Sequence, residues 1–144
     1  MSKMSDQPLI DEFLKLRDTV ATLRTPVIGC PWDLEQDHRS LRKYMLEEAA
    51  EAAEAMEGDD PEALCEELGD VLLQVMLNAR IASEREEFSI VDVIAAIQQK
   101  LVRRHPHVFG SEEERKRRSF EEIGARWQEI KAEEKATKKK EKNL

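Results

Sequence analysis

The chain has 144 residues, enough for a core of its own, and carries 23 Lys and Arg against 31 Asp and Glu, a formal charge of −8. With 38% charged and 40% hydrophobic residues but 5 Gly and 5 Pro, it is excluded from collagen-like, disordered and β-sandwich classes and reads as helix-rich. The acidic balance argues against nucleic-acid binding, no apolar run approaches the roughly 18 residues of a membrane span, and residues 1–9 lack the charged start and apolar centre expected of a secretory signal.

Five helices are predicted in chain order. The first covers residues 9–23, where Ile10, Phe13, Leu14, Leu16, Val20 and Leu23 form a stripe at helical spacing. Thr25-Pro26 and Gly29-Cys30-Pro31 break it. Cys30 and Cys65 form no CxxC pair, which suits a reducing cytoplasm. The second helix covers residues 40–56, with Gly58 as its stop. Asp60-Pro61-Glu62 combines a cap, a proline at the first helical position and an acid at the positive helix end, and opens a third helix over 61–84. Ser89-x-x-Asp92 opens a fourth, which Pro106 stops, and Ser119-x-x-Glu122 opens a fifth carrying Phe120, Ile123, Trp127 and Ile130. Beyond Lys131 the chain is too polar to pack and is predicted to fray. The expected architecture is an all-α antiparallel bundle of about five helices built around the second, third and fourth, with residues 1–135 as one domain and 136–144 as a polar tail. Helices this long in so thin a layer have more apolar surface than one chain covers, so a homo-oligomer, dimer or tetramer, is expected.

Between Tyr44 and Ala79 lie eleven carboxylates and no Lys or Arg. Surface helices gain a few tenths of a kcal/mol from each i,i+4 pair of opposite charge, and like charges at that spacing cost about as much. Two helices that forgo such pairs repeatedly over this stretch need a cation from elsewhere. Glu48 and Glu51 are three apart and share a face of the second helix, with Glu47 on the same side. Glu67 and Asp70 share a face of the third, and the turn at Gly58-Asp59-Asp60 can set the two pairs opposite each other. Oxygen-only donors select a hard ion, Mg²⁺, Mn²⁺ or Ca²⁺, and Mg²⁺ is commonly completed by substrate phosphate. Gly69, in mid-helix, asks for a reason such as close backbone packing. Lys100, Arg103, Arg104 and His105 follow at the end of the fourth helix, residue types that suit phosphate oxygens.

These segments, GCPWDxxQ at 29–36, LEExxE at 46–51, EELGD at 66–70 and KLxRRHPHVFG at 100–110, with WxxIK at 127–131, resemble the MazG family of nucleoside triphosphate pyrophosphohydrolases over residues 10–135. The resemblance implies an all-α fold and Mg²⁺-dependent hydrolysis of nucleoside triphosphates to monophosphate and pyrophosphate, with Mn²⁺ as a possible substitute. It implies that Glu48, Glu51, Glu67 and Asp70 hold the ion, with Glu47 beside them as the acid that can take a proton. Lys100, Arg103 and Arg104 would contact the phosphates, and Trp127 and Lys131 would close over the nucleotide. Tyr44 joins them in the substrate-binding set. Many family members carry two such domains in tandem, and Asp37 stands where a small hydroxyl residue is common. A dUTP/dCTP pyrophosphatase or phosphoribosyl-ATP pyrophosphohydrolase of the same fold is disfavoured by CPWD and RRHPHVFG. A non-catalytic module that binds nucleotide or a partner through Trp32 and Trp127 has no need of two facing acidic pairs.

Overall fold

The computed structural model describes residues 5–143. Among them the secondary structure is entirely helical, with eight helices: α1 (Gln7–Leu23), α2 (Pro31–Glu35), α3 (His38–Glu57), α4 (Pro61–Glu84), α5 (Ile90–Arg104), α6 (Pro106–Phe109), α7 (Glu112–Arg115) and α8 (Phe120–Lys142). The five long ones are the five predicted. The three short ones escape a periodicity reading because none completes two turns. No helix is long and apolar enough to cross a membrane. The chain divides into two compact units after Val91. The first carries 9 basic against 21 acidic residues and the second 14 against 10, so the acidity of the whole chain resides in the first.

In the first unit α3 and α4 form an antiparallel hairpin, and α1 packs on α4. Both hairpin helices start on aspartate caps. The Asp37 carboxylate accepts from the Ser40 N–H at 2.7 Å while Ser40 Oγ accepts from the Asp37 N–H at 2.9 Å, a reciprocal box that a hydroxyl at position 37 would also support. Those backbone and side-chain donors hold the Asp37 carboxyl below its ordinary value. Asp60 accepts from Glu62 and Ala63 N–H with Pro61 at the first turn, as predicted. Gly58 ends α3 in an extended conformation with φ −87°, not in the left-handed region that the stop signal implied. His38 Nδ1 lies 2.7 Å from Asn78 Oδ1 and ties the start of α3 to the C-terminal half of α4.

The core is small: Val20, Leu41, Met76, Leu77 and Ile81 are buried, with Phe13, Leu16, Tyr44, Leu73 and Ile90 against them. It occupies the C-terminal half of α4. Leu68 and Leu72, apolar residues at helical spacing on α4, are exposed, as are Ile10, Leu14 and Leu46. Within the first unit α1 joins α3 and α4 around this core, and Ile90, the first residue of α5, packs against it. Gly69 was expected to sit against backbone, yet a Cβ there would meet nothing within 4 Å. Gly29 is the glycine with a steric reason, since its Cβ would lie 2.4 Å from the Leu23 carbonyl oxygen.

Arg24, 9% exposed, anchors the segment between α1 and α3. Its guanidinium pairs with Glu84 through Nε at 3.1 Å to both oxygens and Nη2 at 2.8 Å, and donates from Nη1 to the carbonyl oxygens of Asp33 and Gln36. One buried cation thus joins the end of α4 to the carbonyls that close α2.

In the second unit α6 packs on α7, and Gly110 turns between them where a Cβ would meet the Pro106 carbonyl oxygen at 2.5 Å. Ile130 is the buried residue of α8. Ion pairs supply much of the rest: Arg126 reaches Glu114, Glu129 and Glu133, each at 3.2 Å. The helix α8 runs on to Lys142, past the Lys131 where packing residues end. Ala, Glu and Lys are strong helix formers, and they carry the exposed turns without a core beneath them.

Candidate metal and nucleotide site

The α3–α4 hairpin brings together Glu48, Glu51, Glu67 and Asp70. One carboxylate oxygen from each lies within 4.8 Å of the other three. The cause is local: each pair is spaced by three residues on its helix, and a short turn at 58–60 sets the helices side by side. Glu51 is exposed, and the other three are half-buried. Glu48 Oε2 and Glu67 Oε2 are buried without a hydrogen-bond partner. Burial pushes both carboxyls above their ordinary value, and the charges of Glu51 and Asp70 push in the same direction. Buried acceptors left unpaired beside three like charges are costly unless a cation meets them. Four hard oxygen donors around two orphaned oxygens fit a divalent ion such as Mg²⁺ or Mn²⁺ better than zinc, which favours nitrogen and sulfur. Glu47, one residue from this group, is exposed and stands outside it.

Tyr44 lies one helical turn before Glu48. It packs on the core and meets Trp32 edge-on, with ring centroids 5.4 Å apart, while Lys43 Nζ sits 4.9 Å from its ring. Trp32 is half exposed at the start of α2.

The predicted phosphate cations belong to the second unit. Lys100 is exposed on α5. Arg103 and Arg104 both bond Glu134 of α8: Arg103 Nε to Oε1 at 2.6 Å and Arg104 Nη2 to Oε2 at 2.9 Å. The two guanidiniums hold the Glu134 carboxyl down at about 2. Arg104 also lies 5.4 Å from the centre of the Trp127 ring, and the His105 ring meets Trp127 nearly perpendicular with centroids 5.4 Å apart. Lys131 lines a cleft of about 460 Å³ with Arg104, Gln128, Lys135, Lys138 and Glu134. Charge counting along the chain singled out the bases of this unit and passed over Glu134, because an acid in a lysine-rich stretch reads as solvated. Only the fold shows it beneath the arginines. Arg24 was likewise missed, standing alone after a helix end with no local partner.

Residues 36–109 match the MazG nucleotide pyrophosphohydrolase domain. The chain belongs to that family. It is 46% identical over 127 residues to the nucleoside triphosphate pyrophosphohydrolase/pyrophosphatase MazG of Thermotoga maritima, covering 88% of this chain and 47% of that one. It is 43% identical over 124 residues to the nucleoside triphosphate pyrophosphohydrolase of Escherichia coli K12, covering 86% of this chain and 46% of the relative. The uncharacterized protein YabN of Bacillus subtilis is 46% identical over 129 residues, 90% of this chain and 26% of YabN. The chain thus spans about half the length, or less, of these relatives.

Proposed function

We propose that this chain is a Mg²⁺-dependent nucleoside triphosphate pyrophosphohydrolase that converts NTP or dNTP to the monophosphate and pyrophosphate. The observation that carries this reading is the four-carboxylate group on α3 and α4 with its two orphaned buried oxygens. Membership of the MazG nucleotide pyrophosphohydrolase domain family and the names of the T. maritima and E. coli relatives support the substrate class. Glu48, Glu51, Glu67 and Asp70 hold the ion, which when bound supplies Lewis acidity and neutralises phosphate charge. Water attacks the α-phosphorus in line, pyrophosphate leaves, and the exposed Glu47 takes the proton. Lys100, Arg103 and Arg104 bind the phosphates and offset the charge gathering on pyrophosphate, the main source of acceleration in phosphoryl transfer. Tyr44, Trp127 and Lys131 complete the nucleotide's surroundings. Residues 1–135 act as one MazG-like catalytic domain in the cytoplasm, assembled as a homo-oligomer that covers exposed apolar residues such as Leu46, Leu68 and Leu72.

The test is an assay of the eight common NTPs and dNTPs with Mg²⁺ in ¹⁸O-water, resolving monophosphate, pyrophosphate and label. The expected result is monophosphate and pyrophosphate, with ¹⁸O in the monophosphate alone. Label in pyrophosphate, or release of orthophosphate and diphosphate, would overturn the reaction. Light scattering at micromolar concentration tests the assembly, and a fully active monomer would defeat that part.

A further inference from the structure

Glu134 is absent from every motif read above, yet it is the carboxylate on which two of the proposed phosphate cations converge. Its side chain is 15% exposed against 48% for Arg103 and 21% for Arg104. Arg103 bonds it through Nε, the inner nitrogen, so both terminal nitrogens remain for another acceptor. Arg104 bonds it through Nε at 3.4 Å and Nη2 at 2.9 Å, one full edge of the guanidinium, which leaves Nη1 and the opposite edge. Among the described residues neither arginine donates to any other group. Arg104 also lies over the Trp127 ring, 5.4 Å from its centre, so that guanidinium is held by a carboxylate on one edge and by contact with an aromatic ring. The same cleft is lined by four cations, Arg104, Lys131, Lys135 and Lys138, and by Glu134 as its one acid.

An arginine free to rotate loses conformational entropy when it grips a phosphate, and adjacent arginines repel each other. A carboxylate that takes their inner edges removes both costs while leaving the outer donors available. From this geometry we infer that Glu134 is a positioning residue, setting Arg103 and Arg104 in a fixed orientation for the oxygens of a polyphosphate. The inference rests on the proposed phosphate-binding role of the two arginines.

It has a distinctive sign. By charge alone, Glu134→Gln removes a negative group from a phosphate site and should tighten anion binding. Positioning requires the opposite. Calorimetric titration of the full chain with inorganic tripolyphosphate in magnesium buffer reads the difference directly. Glu134→Gln is expected to weaken binding about tenfold and to lower kcat/KM for a nucleoside triphosphate by at least that factor, with kcat falling as well as KM rising, since misplaced guanidiniums lose more than one added charge returns and the same arginines offset charge on the leaving pyrophosphate. Glu134→Asp, which retains the charge on a shorter stem, should recover part of the loss and carries the test should Glu134→Gln fail to fold. Unchanged or tighter tripolyphosphate binding by folded Glu134→Gln overturns the inference. Arg104→Ala separates the two levels: if it weakens tripolyphosphate and Glu134→Gln does not, positioning alone is wrong. If Arg104→Ala binds as the parent does, the phosphate role of the arginine is wrong as well.

Discussion

Replacing Arg24 removes the most deeply placed cation of the first unit, and its cost can be worked from the contacts. Arg24→Ala deletes a multiply bonded pair with Glu84, whose side chain is 29% exposed and retains only Arg80 at 3.5 Å. Breaking a fully buried pair costs about 3–5 kcal/mol, and the partial exposure of Glu84 brings that down to about 2 kcal/mol. The Asp33 carbonyl keeps a bond from the Gln36 N–H at 3.2 Å, whereas the Gln36 carbonyl loses its donor, adding about 1 kcal/mol. The sum is about 3 kcal/mol, a large part of the 5–15 kcal/mol that holds a typical domain. Arg24→Lys should recover about half, because one ammonium can meet Glu84 but cannot also span two carbonyls. Urea unfolding in chelator, for the parent, both single variants and Arg24→Ala combined with Glu84→Ala, separates the terms. The cycle should return a coupling of about 2 kcal/mol between Arg24 and Glu84, the remainder belonging to the carbonyls. A loss below about 1 kcal/mol for Arg24→Ala, or full stability in Arg24→Lys, would refute the reasoning.

Three further outcomes are expected. Glu48 and Glu67 have folded-state values raised above the ordinary 4.5, so the stability they contribute is present below that pH and is lost as pH rises through the raised values. Melting temperature in chelator should therefore decline above pH 4.5 and recover with Mg²⁺, and Glu48→Gln should flatten the decline while abolishing the response to the ion. A Mg²⁺ response that survives in Glu48→Gln would be incompatible with the ligand set. Glu134 runs the other way: held down at about 2, it stabilises fully above 4.5 and ceases to do so as pH falls from 4.5 toward 2. Helicity followed by circular dichroism over that window should fall less steeply in Glu134→Gln than in the parent. Asp60→Ala removes the cap from the start of α4 and should cost about 1 kcal/mol by urea unfolding, with Asp60→Asn close to the parent.

The long helices and the acidic quartet were legible in the sequence because both rest on short-range regularities. A cap, a proline at the first turn and a three-residue spacing of carboxylates act within one or two turns of chain, and Asp60-Pro61 placed the start of α4 at the residue where it stands. What escaped depended on contacts distant in sequence. Arg24 meets Glu84 across 60 positions and Arg103 meets Glu134 across 31, and no local pattern announces either. Leu68 and Leu72 show the converse, since apolar spacing locates a face without saying what covers it, and here both are exposed. The prolongation of α8 to Lys142 was missed because a search for packing residues overlooks a helix sustained by backbone propensity.

All four acidic ligand candidates lie on one hairpin, between Glu48 and Asp70, and this bears on the order of events in folding. Closing so short a loop costs little chain entropy, and contacts between neighbouring helices form early when separation along the sequence is small. The carboxylates are brought together by the same step that pairs α3 with α4, so their repulsion opposes that step directly. A divalent ion removes the opposition at the moment of pairing, and its stabilisation therefore enters through faster refolding more than through slower unfolding.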